Sequence, residues 1–438
     1  MFSYLRGIHV PHRKGTKNSA VVRMPAPASV TIPMSMHIGK PAIPCVKAGD
    51  TVKVGTKIGE ADGYISSSVF SSVSGTVTKL TEYLLHNGTT TTAVVIESDG
   101  QMTVDENIAP PEINDQKDFV QAVKEAGIVG LGGAGFPTQV KLDVDNNRIE
   151  YLVINGAECE PYVTSDTYTM LNRAEDMKTA LIGLNKYLGV KNVIIGIESN
   201  NKKAIEAMKN MAKSITDFSV LVKTLPAVYP QGGEKVLVYH LLGRQIPANK
   251  LPIDVGCIVL NCTTVATIGT LLSTGMPLTE KCVTVDGGAV KTPQNVIAPI
   301  GTSLQELFDF CGGLKEDPAK IIYGGPMMGI TVPNAEVSVI KNTNAVLALT
   351  KKEAKLPKTT ACIRCGACLN TCPFGLAPVS IAQAYEKKDY EELKDLSVLS
   401  CMECGCCSFV CPANRPLVQI NKMAKQFFNE QSKKEAGK

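Results

Sequence analysis

Apolar positions in this chain change period repeatedly, and each change predicts a different kind of structure. From about Pro27 to Gly100, short β-branched runs at Thr51–Val54, Ser67–Val73 and Thr91–Ile96 are broken by the turn pairs Gly49-Asp50, Asp62-Gly63 and Asn87-Gly88. This spacing predicts a small β-sandwich. Between about 112 and 275 the pattern alternates. Helical periodicity at Phe119–Ala126, Met177–Leu188 and Lys203–Met211 is interleaved with apolar strands at Ile149–Ile154, Asn192–Ile197 and Phe218–Lys223. Alternation of this kind implies a mostly parallel sheet covered on both faces, with its ligand crevice at the carboxyl ends of the strands. The stretch Val255–Leu272 is interrupted by Asn261, Thr263, Thr264 and Thr267. It reads as a buried strand followed by a helix, because a membrane span needs about 20 predominantly apolar residues.

A second β-rich segment follows, with strands at Cys282–Val285 and Asn295–Ile300, a helix at Ser303–Phe310 and a Gly324-Gly325-Pro326 turn. Lys351–Lys355 reads as a linker, Val379–Glu386 and Tyr390–Leu396 as helices, and Gln431–Lys438 as a frayed tail. The first 25 residues carry Arg6, His9, His12, Arg13, Lys14, Lys17 and Arg23 without either periodicity. They read as a basic arm, either solvated or docked on an acidic or lipid-adjacent partner surface. The expected organisation is an arm (1–25), a β-sandwich (26–105), an α/β domain (112–275), a second β domain (276–345) and a helical domain (352–430).

A length of 438 residues fits three or four domains of roughly 100–150 residues. With 44% hydrophobic and 20% charged residues the chain can bury substantial cores, and a net charge of +4 is too weak to argue for nucleic acid. Met1–Arg6 lacks the apolar run of a signal peptide. Fifteen cysteines therefore point to reduced thiolates in the cytoplasm rather than to disulfides.

Eight of those cysteines form two copies of one pattern, Cys362-x2-Cys365-x2-Cys368-x3-Cys372-Pro373 and Cys401-x2-Cys404-x2-Cys407-x3-Cys411-Pro412. Three thiolates at i, i+3 and i+6 wrap one corner-bonded cube, and the cysteine before proline reaches across to the other cluster. The expected sets are crossed: Cys362, Cys365, Cys368 and Cys411 for one [4Fe–4S] centre, and Cys401, Cys404, Cys407 and Cys372 for the other. A zinc ribbon does not explain the duplication or the terminal prolines. Cys406 reads as a packed spectator.

The other chemical signal is Gly130-Leu131-Gly132-Gly133-Ala134-Gly135-Phe136-Pro137-Thr138. It follows a helix rather than a strand and lacks a terminal GK[ST], so it is neither a dinucleotide-fold fingerprint nor a Walker loop. Its glycines let the backbone approach a ligand and turn N–H groups toward an anion. Lys141 lies downstream as a point charge for phosphate, and the strand ending in Asn155-Gly156-Ala157-Glu158-Cys159-Glu160-Pro161 brings polar groups to the crevice.

The loop Gly130–Thr138 and the strand end Asn155–Pro161 resemble the flavoprotein subunit of respiratory complex I. The resemblance to the RnfC family, from the Rnf electron-transport complex, is closer and covers nearly the whole chain, from the Phe2–Lys17 arm to the cluster motifs. It includes a sandwich similar to biotinyl and lipoyl carriers, whose presenting turn, Glu60-Ala61-Asp62-Gly63-Tyr64, has no lysine. The fold implied is multidomain α/β plus β: a carrier-like sandwich, a Rossmann-like FMN/NADH domain, a β-grasp (SLBB) domain and a helical two-cluster ferredoxin domain. The resemblance implies FMN contacts from Gly130, Lys141, Asn155, Glu158, Tyr229, Glu234 and Asn261, and NADH contacts from Gly132, Gly133, Phe136 and Glu160. Four positions depart from the complex I pattern: Leu131 for arginine, Ala157 for aspartate, Val144 for phenylalanine and Gly233 for glutamate.

The implied activity is NADH oxidation, with hydride passing to FMN and single electrons leaving through two [4Fe–4S] clusters. The chain would be a peripheral subunit on the cytoplasmic face of the cell membrane, coupling ferredoxin and NAD to ion translocation by its partner subunits. No catalytic side chain is expected, since the flavin carries the transfer. The same modules also suit an RnfC-like corrin reductase, or a relay that has lost flavin and only scaffolds the clusters.

Overall fold

A computed structural model describes residues 5–85 and 88–436, so Phe2 of the arm, Asn87 of the expected turn and the last two residues of the expected tail lie outside it. The sandwich packs the sheet of Ser29–Pro33, Thr90–Ser98, Gly75–Leu84 and Thr51–Val52 against that of Ile43–Pro44, Lys57–Glu60 and Val69–Phe70. Val30, Ile32, Ile58, Val77, Val94 and Ile96 fill its core. Two residues of the glycine loop, Val129 and Leu131, join that core, so the sandwich anchors the loop. The lysine-free turn faces the neighbouring domain, where the Tyr64 hydroxyl donates to Asp143 (3.0 Å).

The expected parallel sheet is present, in the order Ser219–Leu225, Asn192–Glu198, Tyr151–Gly156, Cys257–Asn261. All its pairings are parallel. Helices Gln116–Glu125, Ala174–Leu188, Lys202–Lys213 and Cys262–Thr274 bury one face, and Glu234–Leu242 packs on the other. Val255–Leu272 behaves as its pattern predicts. The Asn261 side chain accepts from the Thr263 and Thr264 N–H groups, capping the helix that the strand runs into. This helix crosses Ala174–Leu188 so closely that a Cβ on Gly269 would lie 1.8 Å from the Asp176 carbonyl oxygen. Only glycine permits that approach.

The next domain is a six-stranded mixed sheet: Val22–Arg23, Gln294–Pro299, Glu280–Asp286, Ala345–Leu349, Lys320–Tyr323 and Ile330–Val332. Val283, Val285, Val296, Phe308 and Val346 build its core with helix Leu304–Phe310.

Its edge strand corrects the reading of residues 1–25, because Val22 and Arg23 pair in parallel with Val296 and Ile297. Further back, the Ile8 and Tyr229 backbones exchange hydrogen bonds (2.8 and 2.9 Å), and buried Thr16 bonds the Thr164 hydroxyl (2.6 Å). The arm is therefore neither solvated nor free for a partner. Its basic residues mask short apolar insertions that pack on this same chain.

In the last domain, helices Pro378–Lys387, Tyr390–Asp395 and Leu417–Ala436 surround Ile381, Leu393 and Phe428. The tail expected to fray is helical as far as Ala436. Tyr390 stacks on Phe428 at 4.6 Å and its hydroxyl bonds Ser432, which holds the final turns down.

Candidate functional site

A cavity of about 540 Å³ opens at the carboxyl ends of Tyr151–Gly156 and Cys257–Asn261, where a parallel sheet presents its ligand crevice. All eleven residues expected to contact flavin or nucleotide line it: Gly130, Gly132, Gly133, Phe136, Lys141, Asn155, Glu158, Glu160, Tyr229, Glu234 and Asn261. The glycine loop forms one wall. Gly133 has φ +125° and a Cβ there would meet no atom within 4 Å, whereas one on Gly132 would press on Asn261 at 3.2 Å. Leu131 leaves the cavity for the sandwich core. Its amide donates to Thr264 (2.9 Å), and its carbonyl accepts from buried Lys281 (3.3 Å).

Several of these polar residues are held in place from within the chain. Asn155 donates to the Gly232 carbonyl (2.8 Å) and accepts from the Ala157 amide, fixing the two turns against each other. Lys141 donates to Glu234 (2.9 Å) and to the Val259 carbonyl (3.1 Å), which use two of its three protons. Asn261 donates to Asp166 (2.8 Å) while it caps its helix. The Glu158 carboxylate accepts from the Asp166 amide and the Thr167 hydroxyl. Burial, with Asp166 nearby, pushes Glu158 up to about 7 against the opposing pull of Lys14. Glu160 is also pushed up to about 7 by burial, and its two oxygens accept the Met327 and Met328 amides (3.0 and 2.8 Å). It ties the mixed sheet to the cavity rim.

Sequence reasoning missed three contributions. Lys14 of the arm donates to the Glu158 and Glu160 carbonyls (2.8 Å each) beneath the cavity, and to Val163. The mixed sheet supplies a second wall through Gly324–Ile330 and Asn342–Asn344, and Asn342 donates to the Gly133 carbonyl (2.6 Å). The only hints were the Gly324-Gly325 turn and a short polar run between two apolar segments. The third contribution is Met402, from the cluster domain.

Met402 also lines a second cavity, around which Cys372, Cys401, Cys404 and Cys407 stand. These are the four thiols of one expected crossed set. Cys372 lies close enough to Cys404 and Cys407 for their charges to act on one another, and Cys411 acts likewise on Cys368. Among the described residues no three cysteine, histidine or carboxylate side chains converge as on a single ion. The Tyr229 hydroxyl donates to the Cys404 carbonyl (2.6 Å), and Cys406 is buried with its sulfur 4.0 Å from the Tyr229 carbonyl oxygen. A Cβ on Gly233 would lie 2.4 Å from Met402 Cε. Met402 thus occupies the space that a glutamate at position 233 would need. Val144 packs against the α/β core rather than the cavity.

Both cavities fit the groups expected in them. In the larger one, Thr138 Oγ1 and Asn342 Oδ1 are buried without a hydrogen-bond partner, beside a backbone cradle that glycine keeps open. Four thiols around one space suit a cube-shaped cluster.

Family models match the whole architecture: an RnfC barrel sandwich hybrid domain over residues 2–101, a Nuo51 FMN-binding domain over 123–270, an SLBB domain over 282–331 and a 4Fe-4S dicluster domain over 355–412. The chain is 42% identical over 436 residues to the RnfC-type subunit of the Na(+)-translocating ferredoxin:NAD(+) oxidoreductase complex of Acetobacterium woodii, covering 98% of this chain and 97% of that protein. It is 40% identical to the corresponding subunit of the proton-translocating ferredoxin:NAD(+) oxidoreductase complex of Clostridium ljungdahlii, over 90% and 86% of the two chains. The corresponding subunit of the ion-translocating oxidoreductase complex of Rhodobacter capsulatus is also 40% identical, over 99% and 85%. In fold, the chain is similar to a chain of an NAD+-reducing [NiFe]-hydrogenase crystallised in the H2-reduced state. That match has a TM-score of 0.50 at 16% identity and covers 72% of this chain and 61% of that one.

Proposed function

The chain belongs to the RnfC family, and from that membership we propose that it is the NADH-oxidising, peripheral subunit of an ion-translocating ferredoxin:NAD+ oxidoreductase. FMN, when bound, supplies hydride acceptance and the conversion from two-electron to one-electron chemistry, and two [4Fe–4S] clusters supply the one-electron exit. The chain's own residues position these groups. Gly130, Lys141, Asn155, Glu158, Tyr229, Glu234 and Asn261 hold the flavin side of the cavity, and Gly132, Gly133, Phe136 and Glu160 face the nucleotide. Cys372, Cys401, Cys404 and Cys407 hold the cluster beside the flavin cavity, and Cys362, Cys365, Cys368 and Cys411 hold the outer one.

One observation carries this reading. Met402 lies in the walls of both the flavin cavity and the four-thiol cavity, so the two sites share a partition one side chain thick. The mixed sheet, with its parallel Glu280–Asp286/Ala345–Leu349 pair, is read as a β-grasp domain that closes the nucleotide side. Among the described residues no helix is long and apolar enough to cross a membrane. Ion passage accordingly falls to the partner subunits, with this chain on the cytoplasmic face. Anaerobically purified protein should contain FMN that bleaches with NADH and about eight irons per chain. Zinc in place of iron, or flavin that NADH leaves oxidised, would overturn the reading.

A further inference from the structure

The two cysteine sets differ in how they meet solvent. Cys404 and Cys407 are buried, whereas Cys365 is exposed. Large apolar side chains stand exposed within two residues of thiols of the outer set: Ile363 (66% exposed) between Cys362 and Cys365, Leu369 (38%) beside Cys368, and Phe409 (50%) before Cys411. Exposed apolar residues grouped at one place mark a contact surface, while single scattered ones do not.

The charge around them has one sign. No aspartate or glutamate occurs between Glu353 and Glu386, nor between Glu403 and Glu430, and these two stretches contain the whole outer set. Lys355, Lys358 and Arg364 are exposed there. Lys358 sits beside the Cys411 loop, because its carbonyl accepts from Asn414 (3.2 Å). Arg6 of the arm reaches the Leu369 carbonyl (3.2 Å). Arg415 is the exception, paired with Glu386 at 3.1 Å.

Resting on the function proposed above, we propose that this face docks a protein electron carrier of the same membrane complex, with an acidic rim around an apolar contact. Apolar centre and charged rim are the usual anatomy of a specific interface, and complementary rims speed encounter. A lipid surface would also suit basic and apolar groups. The protein partner is favoured because the face encircles the thiol where single electrons reach the surface.

The test is rebinding of purified, cluster-loaded protein to membranes that retain the other subunits but lack this chain, titrated with salt. Wild type should bind and release as salt rises. Lys358→Glu/Arg364→Glu should bind about tenfold or more weakly, as expected for reversed rim charges, with iron content and NADH bleaching unchanged. Lys355→Glu/Lys358→Glu, outside the cysteine loop, guards against a cluster defect and should behave alike. Unchanged or salt-insensitive rebinding of iron-replete variants overturns the docking face and leaves the proposed function standing. Equal loss of binding to protein-free vesicles of anionic phospholipid makes the face a lipid contact and also overturns the proposal. Wild-type protein without flavin bleaching would instead sink the underlying function.

Discussion

Replacing Gly133 separates a nucleotide wall from a merely tight turn. Its φ of +125° is strained for any L side chain, so both Gly133→Ala and Gly133→Val should lose stability, by about 1–3 kcal/mol. Because a Cβ at this position would meet nothing within 4 Å, neither substitution should clash with the protein itself. The two variants share the backbone strain and differ in the branched methyl groups that valine adds at the cavity's edge. A displacement of about 1 Å from productive geometry costs about a hundredfold in rate, roughly 2.7 kcal/mol of barrier. Gly133→Val should therefore lose about a hundredfold in kcat/KM for NADH relative to wild type, and Gly133→Ala distinctly less, with FMN content retained in both. Stopped-flow bleaching of the flavin by NADH, read beside the flavin-to-protein ratio, gives both quantities. Equal rates for the valine and alanine variants would refute the reasoning, since the loop would then be structural and the nucleotide would bind elsewhere.

Asn342→Ala should raise KM for NADH several-fold without reducing FMN content, because it frees the Gly133 carbonyl it now holds; an unchanged KM would remove Asn342 from the site. Burial raises the Glu198 carboxyl to about 7, opposed by Lys14 and Lys17. The native state therefore binds a proton that the unfolded chain has already released, and this group's contribution is present below its ordinary value of 4.5 and lost as pH rises toward 7. Glu198→Gln should flatten the decline in stability between those pH values, measured by denaturant titration of protein of fixed cofactor content. An unaltered pH slope would show that Glu198 is ionised throughout.

The secondary structure and both cysteine sets were legible because they rest on local signals. Asn261 shows why: an asparagine between an apolar run and threonines serves as a helix cap in any context. The cavity residues were legible only through resemblance, since spacing alone does not bring Gly130, Asn155 and Tyr229 together. What stayed hidden depends on long-range packing. Val22 and Arg23 become a strand only because Gln294–Pro299 offers them an edge, and Lys14 becomes part of the site only once the arm has folded back. Leu131 departs from the complex I pattern because the sandwich core takes it, a reason invisible in the loop itself. Met402 and Gly233 are each unremarkable in sequence, and their complementarity exists only when two domains meet.

The central claim is that the flavin cavity opens directly onto the cluster held by Cys372, Cys401, Cys404 and Cys407, with the other cluster lying beyond it. Freeze-quench EPR of a Cys365→Ser variant, mixed anaerobically with NADH, tests this most directly. Proper folding of the variant is checked by its FMN content and by its retention of about four irons, one cube. The account predicts that NADH bleaches the flavin at the wild-type rate and that the signal of the remaining cluster still appears, while electron delivery to the partner subunits is lost. A variant that keeps FMN and that remaining cluster, yet shows no NADH-dependent cluster signal, would contradict the account, because electrons would then have to enter through the outer set.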